Sequence, residues 1–339
     1  MSDKDCKIGS RKDNSSYKLA VIFAYLVLAC AAFVVGNLMG SMKIDFVTIV
    51  KAIFNNDGST AHMVIKNIRL PRMMTAAMVG VNLAMSGAIL QGVMGNPLAD
   101  PGIIGISSGA GLVGIVILIL FPQYQFMVPI GAFIGAMGAA VIIYILAWKG
   151  GIQPMRIILA GVAVSAFLGA GISALMVFYS DRVHGALTFM NGSLSARSWP
   201  EVYTILPYTI AGTAIAFLMS QRLNILVLGD DTARGLGLNV EATRLGMTAL
   251  AALLAASAVS VVGLLGFVGL IIPHAVRLMI GNDYKFLFPG SAVLGAAVVM
   301  FSDTFARTAF SPAEIPVGVV MAVLGAPFFL YLLRRDQAV

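Results

Sequence analysis

Residues 222–244 read RLNILVLGDDTARGLGLNVEATR, the most polar interior stretch of a chain that is otherwise close to lipid in character. Arg222, Asp230, Asp231, Arg234, Glu241 and Arg244 crowd into it, with long uncharged runs on both sides. A charge at the middle of a bilayer costs roughly 2.5–3.5 kcal/mol or more, so this stretch belongs outside the hydrocarbon. It is not a flexible linker, because Leu223, Ile225, Leu226, Leu228, Leu236, Leu238 and Val240 punctuate it. Asp230 is placed to cap a short helix through Arg234, and Gly235 or Gly237 to end it. Asn239 is placed to cap the apolar helix that follows. The expectation is two short helices at the membrane surface, with the small Ala233 where a partner surface comes close.

Composition gives the setting. Of 339 residues, 59% are hydrophobic and 11% charged, where a soluble domain carries about 25% charged residues. Mean hydropathy is +0.93. These values indicate an all-α polytopic bundle in contact with membrane lipid. The net charge of +7 would suggest nucleic acid in a soluble protein, but here positive-inside bias accounts for it and no nucleic-acid partner is expected. Cys6 and Cys30 form no zinc or disulfide pattern, so no metal site is expected.

Charge-free runs mark the spans: 19–42, 73–99, 101–148, 157–180, 202–220, 245–276, 286–302 and 315–333. The run 101–148 would be roughly 72 Å as one helix, so it is two spans broken near Phe121-Pro122-Gln123-Tyr124. The run 245–276 would be roughly 48 Å, and Gly263, Gly266, Gly269 and Pro273 suggest a broken pair. About ten spans result. Residues 1–18 form an N-terminal tail, 19–333 one transmembrane domain and 334–339 a C-terminal tail. With both tails cytoplasmic the count is even, most of the 22 Lys and Arg face inward, and 222–244 is cytoplasmic. Arg69, Arg72 and Arg307 are outside exceptions. Arg307 has Asp303 one turn earlier as a local partner, Arg69 and Arg72 can snorkel, and the three together could also receive an acidic external partner.

Other motifs weigh less. Gly105-Ile106-Ser107-Ser108-Gly109 fits G-x-S-x-G, and with His274 it would suggest a membrane protease; a nucleophile elbow, however, needs a strand–turn–helix setting. A lone His274 after Pro273 is not a metal site. No G-x-x-x-x-G-K-[ST] occurs, so ATP hydrolysis needs a separate subunit. The span interiors hold almost no Asp, Glu or Lys, which counts against the alternative of an ion-coupled secondary transporter.

Several ordered blocks carry a resemblance: RLPR at 69–72, SGAILQG at 86–92, NPLADPGIIGISSGA at 96–110, ILAGVA at 158–163, LVLGDDTARGLG at 226–237, GFVGLIIPHAVRL at 266–278, EIPVG at 314–318 and GAPFF at 325–329. The chain resembles, nearly end to end, the FecCD-type permeases, membrane subunits of bacterial ABC importers for iron–siderophores, haem and cobalamin. The resemblance implies the ten-span type II importer fold in the bacterial cytoplasmic membrane. It implies a homodimer or heterodimer of permeases with the path between them, two ATPase subunits below and a substrate-binding protein outside. ATP and Mg belong to the ATPase; this chain would bind no cofactor and catalyse nothing. Leu228, Gly229, Asp230, Asp231, Thr232, Ala233, Arg234, Gly235, Leu236 and Gly237 match the coupling loop that meets the ATPase. Arg69, Arg72 and Arg307 match positions that meet carboxylates of the binding protein. Gln153, Pro154 and Met155 correspond to the cytoplasmic gate, with Ser165, Ser173, Met176 and Phe178 on the path. The cobalamin permease has small hydroxyl residues at the positions of Pro154 and Met155, so its gate chemistry does not carry over. Iron–siderophore is the commonest substrate of the family, with haem and cobalamin open.

Overall fold

The computed structural model describes residues 14–40, 60–102, 105–149 and 153–336. The tail lysines before Asn14 and the end of the first expected run, at Met42, lie outside them. The elements in order are α1 Ser15–Leu38, α2 Thr60–Met94, α3 Ile106–Leu120, α4 Val128–Ala147, α5 Pro154–Phe178, α6 Val183–Met190, α7 Trp199–Leu226, α8 Asp230–Gly235, α9 Val240–Val262, α10 Val268–Ile280, α11 Tyr284–Thr308 and α12 Val317–Asp336. Among the described residues there is no strand. Among those residues seven helices are long and apolar enough to cross a membrane, and α3, α10 and the apolar part of α12 are shorter. All but α6 and α8 therefore correspond to the expected spans.

The bundle is built around α2. Of its most apolar window 83% is buried, against 17% for α5 and 22% for α1. It packs against α7, α9, α10 and α11. Close approach explains the glycines: a Cβ on Gly87 would collide with the Gly269 carbonyl, and one on Gly80 with that of Gly295. Without a hydrophobic drive between helices in lipid, such contact is what dispersion needs. Buried polar groups add direction. Asn82 Nδ2 donates to Ser257 Oγ at 2.9 Å, and Ser86 Oγ donates to the Ala251 carbonyl at 2.7 Å.

Boundaries differ from the sequence reading where polar residues are held by the protein. RLPR lies inside α2, which begins before it and passes through a π-helical turn at Ile65–Arg69. The break after α3 is a 3-10 turn, Pro122–Met127, as Pro122 suggests. The run 245–276 does divide, but at residues 263–267, where Gly263 (φ 83°) and Phe267 (φ 68°) turn the backbone left-handed; Pro273 sits within α10. Between the expected spans 157–180 and 202–220 lie the short α6 and a connector at 191–198. Their backbone is satisfied by distant segments, Ser193 N donating to the Val262 carbonyl at 2.8 Å and Leu264 N to that of Phe189 at 2.9 Å.

Candidate functional site

At one end of the bundle the stretch 222–244 forms one short helix rather than two. Residues 222–226 are the last turn of α7 and 240–244 the first turn of α9. Asp230 does not cap α8. Gly229 does, at φ 101° and with no side-chain cap bond. The Asp230 carboxylate turns instead to Arg244, which is buried, with Nη2–Oδ1 at 2.8 Å and Nη1–Oδ2 at 3.3 Å. A two-pronged guanidinium pair fixes orientation better than a single cap bond. The C-terminus closes as a Schellman motif: Leu238 N donates to the Ala233 carbonyl, Gly237 N to that of Arg234, and Gly237 is left-handed at φ 79°. Asn239 caps α9 as expected, accepting from Ala242 N at 3.0 Å.

Ala233 faces inward and is fully buried, so it seats α8 on the bundle instead of meeting a partner. What α8 presents to water is Asp231, Thr232, Arg234 and Gly235, flanked by Leu228 and Leu236, which are 59% and 60% exposed. The Arg234–Asp231 pair, at 3.9 Å between exposed side chains, contributes little. Asn224, in the last turn of α7, donates to Asp283 at 2.8 Å and accepts from Tyr284 N at 2.9 Å, which ties the approach to α8 to the start of α11. Deeper, Arg277 donates to Gln91 Oε1 at 3.0 Å, and Gln91 Nε2 donates to the carbonyls of Gly269 and Leu270. These partners were not legible in sequence, because each joins residues far apart in the chain.

At the opposite end of α2 the three arginines come together, and all are buried. Arg72 grips Asp303 through Nε and Nη2 at 2.9–3.2 Å and donates from Nη1 to Glu314 at 3.0 Å. The expected Asp303–Arg307 pair is present but longer, at 3.8 Å, and Arg307 also donates to the Gly36 carbonyl. Arg69 donates to the carbonyls of Asn37 and Leu38, at the C-terminal end of α1, where a cation meets the helix dipole favourably. The cluster thus first joins α1, α2 and α11. A shallow hollow of about 240 Å³ opens on it, lined by Gly40, Ile68, Arg69, Arg72, Arg307 and Glu314. Glu314 was quoted within EIPVG but assigned no part; its carboxylate is the exposed member of the cluster, at 40%.

The residues expected on a path divide. Pro154 opens α5, and Gln153, Met155 and Ser173 are exposed, with Met176 half-buried. Ser165 turns away, its Oγ buried, on the side where α5 meets Gly105. Much of α5 is open, including Leu159, Val162, Phe167 and Phe178. Gly105, left-handed at φ 78°, precedes the first turn of α3, which holds Ser107 and Ser108; G-x-S-x-G here is a helix start. Among the described residues no group of His, Cys, Asp and Glu could hold a metal ion.

This architecture has known counterparts. The FecCD transport family matches residues 25–335. The chain belongs to that family. It is 36% identical over 328 residues to the Fe(3+)-citrate import system permease protein YfmD of Bacillus subtilis, covering 97% of this chain and 98% of that one. It is 43% identical over 280 residues to the cobalamin import system permease protein BtuC of Halobacterium salinarum, covering 82% and 75%. A solved metal-chelate type ABC transporter in an inward-facing conformation superposes with a TM-score of 0.82 at 28% identity, over 93% of this chain and 99% of that one. As a FecCD permease the chain is a multi-pass membrane subunit of an ABC importer, with a separate ATPase and a binding protein as partners and no cofactor of its own.

Proposed function

We propose that this permease passes an iron(III) chelate across the bacterial cytoplasmic membrane as one member of a permease pair, with both termini and α8 on the cytoplasmic side. The observation that carries the reading is α8 itself. It is a short helix closed at both ends by glycine geometry, braced from beneath by Arg244, and it holds Leu228 and Leu236 out in water. Exposed leucines beside a charged helix suit a protein groove, and a rigid element transmits ATPase closure where a loose one would absorb it. The open face of α5 suits a second permease and a path between the two, with Met155 at the gate and Ser173 and Met176 along it. For the substrate, the end-to-end likeness to an iron–citrate permease supports an iron chelate. The higher but shorter identity to a cobalamin permease keeps the common chemistry at a large metal chelate. The arginine cluster, with three guanidinium groups against Asp303 and Glu314, keeps an excess positive charge for a carboxylate of the binding protein.

The test is reconstitution in liposomes with the ATPase and binding protein. ATP alone should drive uptake of iron(III)–citrate or an iron–siderophore ahead of haem and cobalamin. Uptake that a protonophore abolishes at constant ATP would support an ion-coupled carrier instead, and uptake of cobalamin alone would replace the substrate.

A further inference from the structure

The helices α4 and α7 both pack on α9 but hardly on each other, which leaves a groove between them. At the end away from α8 the groove widens into a cavity of about 450 Å³ that includes Gln125, Ile130, Thr188, Arg197, Glu201 and Thr204. Deeper in, the rings of Phe133 and Tyr208 meet at 5.2 Å and narrow it.

Arg197 is the unexplained group. It lies two residues before α7, its Nε is buried without a partner, and among the described residues its guanidinium makes no hydrogen bond or ion pair. Arg197 is half-buried, arginine keeps its charge there, and its buried Nε is a donor left to be satisfied. The carboxylate whose field reaches it is Glu201. That group is occupied elsewhere: Oε2 accepts from Ser198 N and Oγ, both at 2.9 Å, as the reciprocal cap of α7. The start of α7, with its positive dipole end, adds a second reason for an anion here. The hydroxyls of Thr188, Thr204 and Ser260 already donate to the carbonyls of His184, Pro200 and Ser257, so toward the cavity they offer only acceptors. The site therefore presents a cation lacking an anion, beside a carboxylate oxygen and hydroxyl acceptors suited to N–H donors. Its complement is a zwitterion with an oxyanion and a primary ammonium.

The surroundings say where that zwitterion comes from. The turn Pro122–Met127 is exposed along its whole length, and Phe126 at the cavity mouth is 73% exposed. Aromatic side chains of this kind gather at headgroup depth. Beside the mouth the exposed Ile130 of α4 lines the cavity. We propose that this is a phospholipid site: the phosphate of an ethanolamine headgroup lies against Arg197, its ammonium against Glu201, and one acyl chain follows the α4–α7 groove. The proposal rests on the chain spanning a membrane, and holds whichever end faces the cytoplasm.

The experiment is native mass spectrometry of the purified full-length permease given equimolar phosphatidylethanolamine, phosphatidylglycerol and phosphatidylcholine. Wild type should retain phosphatidylethanolamine preferentially. Arg197→Gln should lower its retention by about tenfold, the worth of a hydrogen bond to a charged group. Glu201→Gln, which keeps the cap, should remove the preference over phosphatidylglycerol and leave binding itself. Equal retention of all three lipids by wild type, or unchanged retention by Arg197→Gln, overturns the proposal. Should Arg197→Gln fail to fold, Ile130→Trp fills the groove with Arg197 in place and should give the same loss; unchanged preference there is equally fatal. Glycerophosphoethanolamine or inorganic phosphate competing as well as the intact lipid would mean a small-oxyanion site and overturn the lipid assignment.

Discussion

Asp303 is 1% exposed and is the anion on which the arginine cluster depends. It holds Arg72 from α2 in a two-pronged grip and Arg307 from its own helix. Asp303→Asn would leave two buried guanidinium groups short of charge. Breaking a buried pair from one side costs about 3–5 kcal/mol, so thermal unfolding in detergent should show a large loss of stability. Glu314→Gln touches the same cluster from its exposed edge and should cost within about 1 kcal/mol. The two variants separate the structural role of the cluster from the proposed docking role. Glu314→Gln frees positive charge without unfolding the protein, so binding-protein affinity should rise at low salt, where screening is weakest. Unchanged affinity at low salt would leave the arginines as connectors of helices only.

At the scale of the element, α8 separates seating from contact. Ala233 is buried, so Ala233→Trp overpacks its seat by about 1–3 kcal/mol and should displace the helix. Gly237→Ala puts a Cβ on a left-handed residue, which costs on the order of 1–3 kcal/mol, and should loosen the same helix end. Leu228→Asp and Leu236→Asp alter only exposed surface. They should keep wild-type unfolding temperatures yet co-purify less ATPase, whereas Ala233→Trp should lower both. If the two leucine variants hold the ATPase as wild type does, α8 is not its docking element.

For the whole molecule, the packing of α2 decides whether a bundle forms. Gly87→Ala forces a methyl into the Gly269 backbone, and no side chain can move aside to relieve it. The expected result is a marked loss of folded protein by size-exclusion chromatography, larger than for Gly235→Ala, which has open space around it. Sidedness is tested by single cysteines. Those at Asp231 and Asp283 should label from the cytoplasm and one at Asp181 from outside. Labelling of Asp231 from outside would remove the coupling reading, since no ATPase could reach it.

Much was readable from the chain alone because lipid imposes length and polarity on each segment separately. A run too long for the bilayer must break, and a stretch with six charges is expected to leave it, as 222–244 was. Family membership was legible for a related reason, in ordered local blocks such as RLPR and LVLGDDTARGLG. Local capping at Asn239 and Gly237 was equally accessible, because it depends on neighbours within a turn. Only the tertiary structure decided where longer side chains went. Asp230 reached Arg244 rather than its own helix end, Ala233 turned inward, and Asp303 preferred Arg72 from another helix to Arg307 one turn away. Each of the two carboxylates had a local partner in sequence and a better-placed distant one in space. Arg72 and Arg244 are the buried cations of the two pairs, and each takes the carboxylate it can hold with two hydrogen bonds. Among the described residues Arg197 finds no hydrogen-bonded anion, which is why the partner proposed for it is a lipid phosphate.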